Sequence, residues 1–157
     1  MKRLNFIWFV WIFLILIFLT SFSKSPAKEG ITVQDEADRT VVIPAVPQSV
    51  VSLSPSNTEI LFAVDAGENV IGVTDFCNYP PHVSGISKVG GFSDVNIEKI
   101  AELDPDLIFA SNLHISKVAP ALEHLGFPVV VVNPVNISSV FTSIEFVGQI
   151  MGNEYQA

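Results

Sequence analysis

Residues 104–132 read DPDLIFASNLHISKVAPALEHLGFPVVVV, and this stretch decides the fold. Leu107 to Ala110 is an apolar run of strand length. A helix is expected from about Ser116 to Leu125, with Pro120 in its first turn and Gly126 as its C-terminal stop. Val129 to Val132 is then four valines in a row, the mark of a strand covered on both faces. Strand, helix and buried strand in that order make a parallel crossover unit.

The alternation extends in both directions. Val50 to Leu53 is a buried-type strand, and Ser56-Asn-Thr-Glu59 has capping-box spacing, which predicts a short helix running to about Val64. Val70 to Thr74 is the next strand, followed by the proline-broken loop Asn78-Tyr-Pro-Pro-His82. Asn96 to Leu103 reads as a helix with Asp94 near its start, stopped by Asp104-Pro105. After the valine strand, Ser138 opens a helix in which Val140, Ile144, Val147 and Met151 recur at helical spacing. Ahead of all this, Ile31-Thr-Val and Thr40-Val-Val-Ile flank the polar stretch Gln34 to Arg39, a hairpin pattern. The expectation is an α/β fold: a mostly parallel sheet flanked by helices, preceded by a short β-hairpin.

Length and charge bound the function. The 157 residues suffice for one medium domain, and the 49% apolar share excludes a disordered chain. After Gly30 there are 4 basic and 15 acidic residues, a net of −11. Such a surface repels phosphate backbones, which argues against nucleic acid as a partner.

Phe6 to Leu19 is 14 consecutive apolar residues behind Lys2 and Arg3, and a small polar run, Ser23 to Lys28, follows. The pattern is that of an export signal over residues 1–28. With Thr20 to Phe22 added, residues 6–22 reach the low end for spanning a bilayer, so an uncleaved anchor is the alternative. No cysteine follows the stretch to carry a lipid, and Cys77 is the only cysteine, so no internal disulfide is expected.

In open α/β sheets ligands collect at the carboxyl ends of the strands. Those ends carry Ser54-Pro-Ser-Asn57, Asp75-Phe-Cys-Asn78, Gly90-Gly-Phe-Ser93, Ser111-Asn-Leu-His114 and Asn133-Pro134. Small hydroxyls, amides and two aromatic rings, without paired cations, suit holding a ligand better than transforming it. Each of these residues also has an ordinary use as a turn or cap. Cys77 has no basic sequence neighbour to activate it and reads as a small half-buried side chain. His82, His114 and His124 show no ligand-like spacing, so no catalytic residue, metal or cofactor is expected.

Three runs carry a family resemblance: VVSLSPSNTEILFAVDAGENVIGVTDFCNYPPHV (50–83), KVGGFSDVNIEKIAELDPDLIFAS (88–111) and LEHLGFPVVVVNP (122–134). The chain resembles the N-terminal, Rossmann-like lobe of periplasmic binding proteins for cobalamin and ferric siderophores, which feed ABC importers. The likeness spans about Ile31 to Gly152 and is greatest to the cobalamin branch, through the Asp75–Pro81 loop and Gly90-Gly-Phe92. Ser54, Asn57 and Asn112 are candidate ligand-binding residues by their place at the strand ends, and the resemblance implies Phe76, Phe92 and Ser111 at the same site. Phe76 and Phe92 would be ring-packing aromatics, and Ser111 would replace an aromatic found in some members. It further implies that Glu98 docks on arginines of the membrane permease. On the residues alone, two readings of each stay open: the rings either face the ligand or fold onto the core, and Glu98 either docks or complements its helix dipole.

The expected organisation follows: residues 1–28 signal peptide or anchor, 29–137 ligand-binding lobe, 138–157 the beginning of an interlobe linking helix. The second lobe that the resemblance implies does not follow within the sequence, which fits a truncated gene, a split protein with a separate partner lobe, or a partial sequence. The expected function is capture of a corrinoid outside the cytoplasmic membrane and delivery to an ABC permease. A ferric-siderophore or haem carrier, and a membrane-anchored interaction or sensor module that does not transport, are the alternatives.

Overall fold

The computed structural model describes residues 30–154. The expected export signal or anchor at 1–28 lies outside the described residues. Among those described, no helix is long and apolar enough to cross a membrane.

The N-terminal hairpin forms as expected, β1 (Ile31–Gln34) pairing antiparallel with β2 (Thr40–Ile43) so that Ile31 faces Ile43 and Gln34 faces Thr40. A five-stranded sheet follows: β3 (Val50–Ser52), β4 (Val70–Val73), β5 (Ser87–Lys88), β6 (Leu107–Ala110) and β7 (Val129–Val131), in the order β5-β4-β3-β6-β7. Every strand pair in it is parallel.

Period-two alternation decides which helix covers which face. Val50, Val73, Leu107, Phe109 and Val130 point to one side, where they pack with Ile60 and Leu61 of α1 (Pro55–Ala63) and with Val147 and Ile150 of α4 (Ile137–Met151). Val51, Ile108, Ala110, Val129 and Val131 point to the other, against Ile100 of α2 (Ile97–Leu103) and Ala119 and Leu122 of α3 (Val118–His124). The chain steps from β3 to β4 on one side of the sheet centre and from β6 to β7 on the other. The two crossover helices therefore fall on opposite faces. That reversal opens a crevice between the carboxyl ends of β3 and β6, the place where such sheets take ligands.

Several element boundaries differ from expectation. Ser54, not Ser56, caps α1: its Oγ accepts from the Asn57 N–H at 3.3 Å, and Pro55 takes the first helical position, where its missing N–H costs nothing. The α4 helix opens one residue early because Asn136 caps it, Oδ1 accepting from the Ser139 N–H at 2.9 Å. Of its expected apolar stripe Val147 and Met151 are buried, while Val140 faces solvent. Helix α3 starts at Val118 rather than Ser116 and ends before Gly126, whose φ is +95°. Strand β5 was not expected at all.

One loop contact also fixes the sheet's lower edge. The Asp106 carboxylate accepts the N–H groups of Gln48 and Ser49 at 2.8 and 2.9 Å. Burial alone would raise its pKa, but these donors outweigh it and hold the carboxyl below its ordinary range.

Candidate functional site

The site is built where β3, β4 and β5 end. After β4, Thr74 leads into the loop 75–80, and its geometry is set from beneath. Cys77 is buried, with Sγ 3.2 Å from both Thr58 Oγ1 and Thr74 Oγ1, so the thiol is a core group rather than half-exposed. Lys88 Nζ donates to the Cys77 carbonyl at 2.9 Å. With Cys77 held down, its neighbour Phe76 turns outward and is 63% exposed.

The second loop, residues 90–94, follows β5. Gly90 has φ +103°, and a Cβ there would meet the Asp94 carbonyl at 2.8 Å, so only glycine turns this corner. The turn closes with the Gly91 N–H donating to the Asp94 carbonyl at 3.0 Å. It carries Phe92 to the same side as Phe76. Together Pro55, Phe76, Gly91, Phe92, Ser93 and Asp94 line an open cavity of about 590 Å³. Its walls are two aromatic rings and a proline, and among the described residues its one charged side chain is a carboxylate and no cation lines it. Such a surface receives an apolar or neutral ring face and repels anions.

The remaining residues expected at the site have other surroundings. Ser54 and Asn57 are buried at the crevice between β3 and β6. Asn57 Nδ2 donates to the Ala110 carbonyl at 2.9 Å and ties α1 to the end of β6. Asn57 Oδ1 has no partner among the described residues. Ser111 is also buried, and Asn112 is exposed, its N–H 3.4 Å from Asn133 Oδ1. Thus Phe76 and Phe92 line the cavity, and Ser54, Asn57, Ser111 and Asn112 do not. Glu98 is exposed in the first turn of α2, behind the Asn96 cap.

His114 is the residue whose place the spacing of the histidines did not suggest. Ser111-Asn-Leu-His114 is a reciprocal cap in which histidine stands where a capping box has glutamate. The Ser111 N–H donates to Nδ1 at 3.0 Å, and Nε2 lies 2.8 Å from the Phe92 carbonyl. The Phe92 ring meets the imidazole edge-on, centroids 5.3 Å apart at 83°. Burial pushes the imidazole below its ordinary pKa, against the smaller, opposing effect of the Phe92 carbonyl at Nε2. Among the described residues no group of three or more His, Cys, Asp or Glu side chains is placed to hold a metal ion.

Comparison with known proteins identifies the family. Residues 50–157 match the family described as periplasmic binding protein. The chain is 40% identical over 131 residues to an uncharacterized ABC transporter substrate-binding lipoprotein of Bacillus subtilis, YvrC, covering 81% of this chain and 41% of that protein. It is 34% identical over 96 residues to a vitamin B12-binding protein of Photorhabdus laumondii, covering 61% of this chain and 29% of the relative. Among solved structures, the periplasmic vitamin B12-binding protein BtuF of Vibrio cholerae superposes with a TM-score of 0.66 at 28% identity, covering 71% of this chain and 44% of the other. The chain thus spans less than half the length of these relatives.

Proposed function

This chain belongs to the periplasmic binding protein family, and on that footing we propose that it captures cobalamin or a related corrinoid outside the cytoplasmic membrane for delivery to an ABC permease. The described residues form the N-terminal ligand-binding lobe; α4, expected to begin a linking helix over 138–157, instead packs Val147 and Ile150 into this lobe's core and is stopped after Met151 by Gly152, whose φ is +73°. The observation that carries the reading is the pair Phe76 and Phe92, presented with Pro55 on an open cavity without a cation. A corrin ring offers a broad face for such rings and uncharged amides at its rim. An anionic ferric chelate would meet the Asp94 carboxylate with nothing to balance it. The relatives described as vitamin B12-binding proteins support the same choice.

Capture needs no chemistry from the chain. Ring faces exclude water from one side of the ligand, and the Gly90–Asp94 turn and the Cys77-anchored loop hold those faces apart before the ligand arrives. Glu98 then offers its carboxylate to the permease. Export precedes both steps, by cleavage of the N-terminal signal or with residues 6–22 kept as an anchor. Both tryptophans, Trp8 and Trp11, lie in that segment, so tryptophan emission from exported protein distinguishes anchor from cleaved signal.

The test is gel filtration of the chain on a column equilibrated with cyanocobalamin, haem or a ferric catecholate chelate, followed by absorption spectroscopy of the protein peak against the column baseline. A corrin spectrum eluting with the protein is expected. Co-elution of iron or haem in its place would overturn the assignment.

A further inference from the structure

We propose that His114 is the positioning residue for Phe92, setting the ring at the height from which it meets the ligand. This rests on the reading that Phe92 faces the bound corrinoid. Backbone N–H groups only donate, so the Ser111 N–H at 3.0 Å requires a lone pair on Nδ1. The neutral ring then carries its proton on Nε2, which donates to the Phe92 carbonyl at 2.8 Å. The Ser111 hydroxyl, 3.1 Å from Nδ1, closes the other side. His114 is 1% exposed, so nothing in solvent competes for either nitrogen.

The contact joins two separate parts of the sheet. His114 follows β6 and Phe92 follows β5, which lie on opposite sides of β3, with β4 also between them. The loop carrying Phe92 is otherwise held by its own short turn and by pairing with its neighbours near Asp75 and Asn96. The imidazole edge against the Phe92 ring fixes the ring's tilt as the hydrogen bond fixes the backbone. One buried side chain thus sets both coordinates of a ligand-facing group.

Two substitutions separate positioning from simple structural support. Glutamine places its amide near Nε2, so His114→Gln keeps a donor for the Phe92 carbonyl and loses the acceptor for Ser111. Asparagine places its oxygen near Nδ1, so His114→Asn keeps the Ser111 acceptor and loses the donor. Both variants should melt earlier than wild type. Only His114→Asn should speed hydrogen exchange across residues 90–94 and weaken cyanocobalamin binding, by about threefold to tenfold for one lost hydrogen bond. Equal exchange in the two variants, or wild-type exchange in both, would overturn the proposal. If the wild-type chain does not bind cyanocobalamin while Phe92→Ala also changes nothing, the functional reading fails, and the exchange comparison alone decides the positioning role. Nitrogen NMR of the wild-type ring needs no variant: a proton on Nε2 supports the assignment, and a proton on Nδ1 overturns it.

Discussion

Asp35 and Arg39 lock the hairpin turn to the sheet: the Asp35 side chain is fully buried, and its Oδ2 accepts from Arg39 Nε at 2.9 Å and Nη2 at 2.8 Å. The same carboxylate accepts the N–H groups of Ala37, Arg39 and, across 96 residues, Val131. Arg39 reaches on to the Val129 carbonyl and to Glu123. The hairpin is therefore pinned to β7. Asp35→Ala leaves Arg39 and the Val131 N–H without their partner and should cost about 3 kcal/mol in urea unfolding. An unchanged midpoint would show that the hairpin is an appendage.

Phe76 should matter for binding and little for stability. Its ring is mostly in solvent, so Phe76→Ala should shift unfolding by less than about 0.5 kcal/mol. The same change should weaken cyanocobalamin binding about tenfold, the effect of losing an aromatic contact worth about 1.4 kcal/mol. Calorimetry and thermal melts on one preparation separate the two effects. A large stability loss would mean that the ring belongs to the core.

The sequence and the structure agree most closely where a local pattern meets a buried sheet. The valines 129–132 read as a strand covered on both faces, and β7 is buried on both although it pairs on one side only, with β6; Asp104-Pro105 and Gly126 stop helices by backbone geometry alone. Strand β5 escaped because Ser87-Lys88 has no strand-like side chain and pairs only because β4 is beside it. The start of α1 was misplaced because Ser54 and Ser56 are both good caps, and the choice falls to Pro55. At the site, Phe76 and Phe92 stood out as rings among polar loop residues, and both line the cavity. Pro55 and Asp94 joined them only through the tertiary arrangement. His114 was legible in principle, as serine three residues before a side-chain acceptor, but its partner Phe92 is 22 residues away.

Acid should loosen the structure through His114. The unfolded imidazole titrates near the ordinary value of about 6.5, and burial lowers the folded one. The folded state then binds fewer protons than the unfolded state between the two values. Stability is complete above about pH 6.5 and is lost as pH falls towards and through the folded value. Wild-type melting temperature should therefore drop more between pH 7.5 and pH 5 than that of His114→Gln. Parallel curves would show that His114 protonates as easily folded as unfolded.

Glu98 should act on docking alone. It is exposed, and no ion pair engages it among the described residues. Glu98→Ala should reduce association with the permease by about 0.2–1 kcal/mol, more where the interface excludes water, with cyanocobalamin affinity unchanged. Equal loss of ligand binding and docking would assign Glu98 a structural role.

Calorimetric titration of the chain with cyanocobalamin, beside the Phe76→Ala/Phe92→Ala double variant, tests the central claim most directly. A carrier enclosing its ligand on both faces at about nanomolar gains roughly 12 kcal/mol, and one open face supplying half of that gives a Kd of tens of micromolar. The account predicts saturable binding of that order by the wild-type chain and its loss in the double variant. Binding that survives both substitutions, or no binding up to about millimolar ligand, would contradict it.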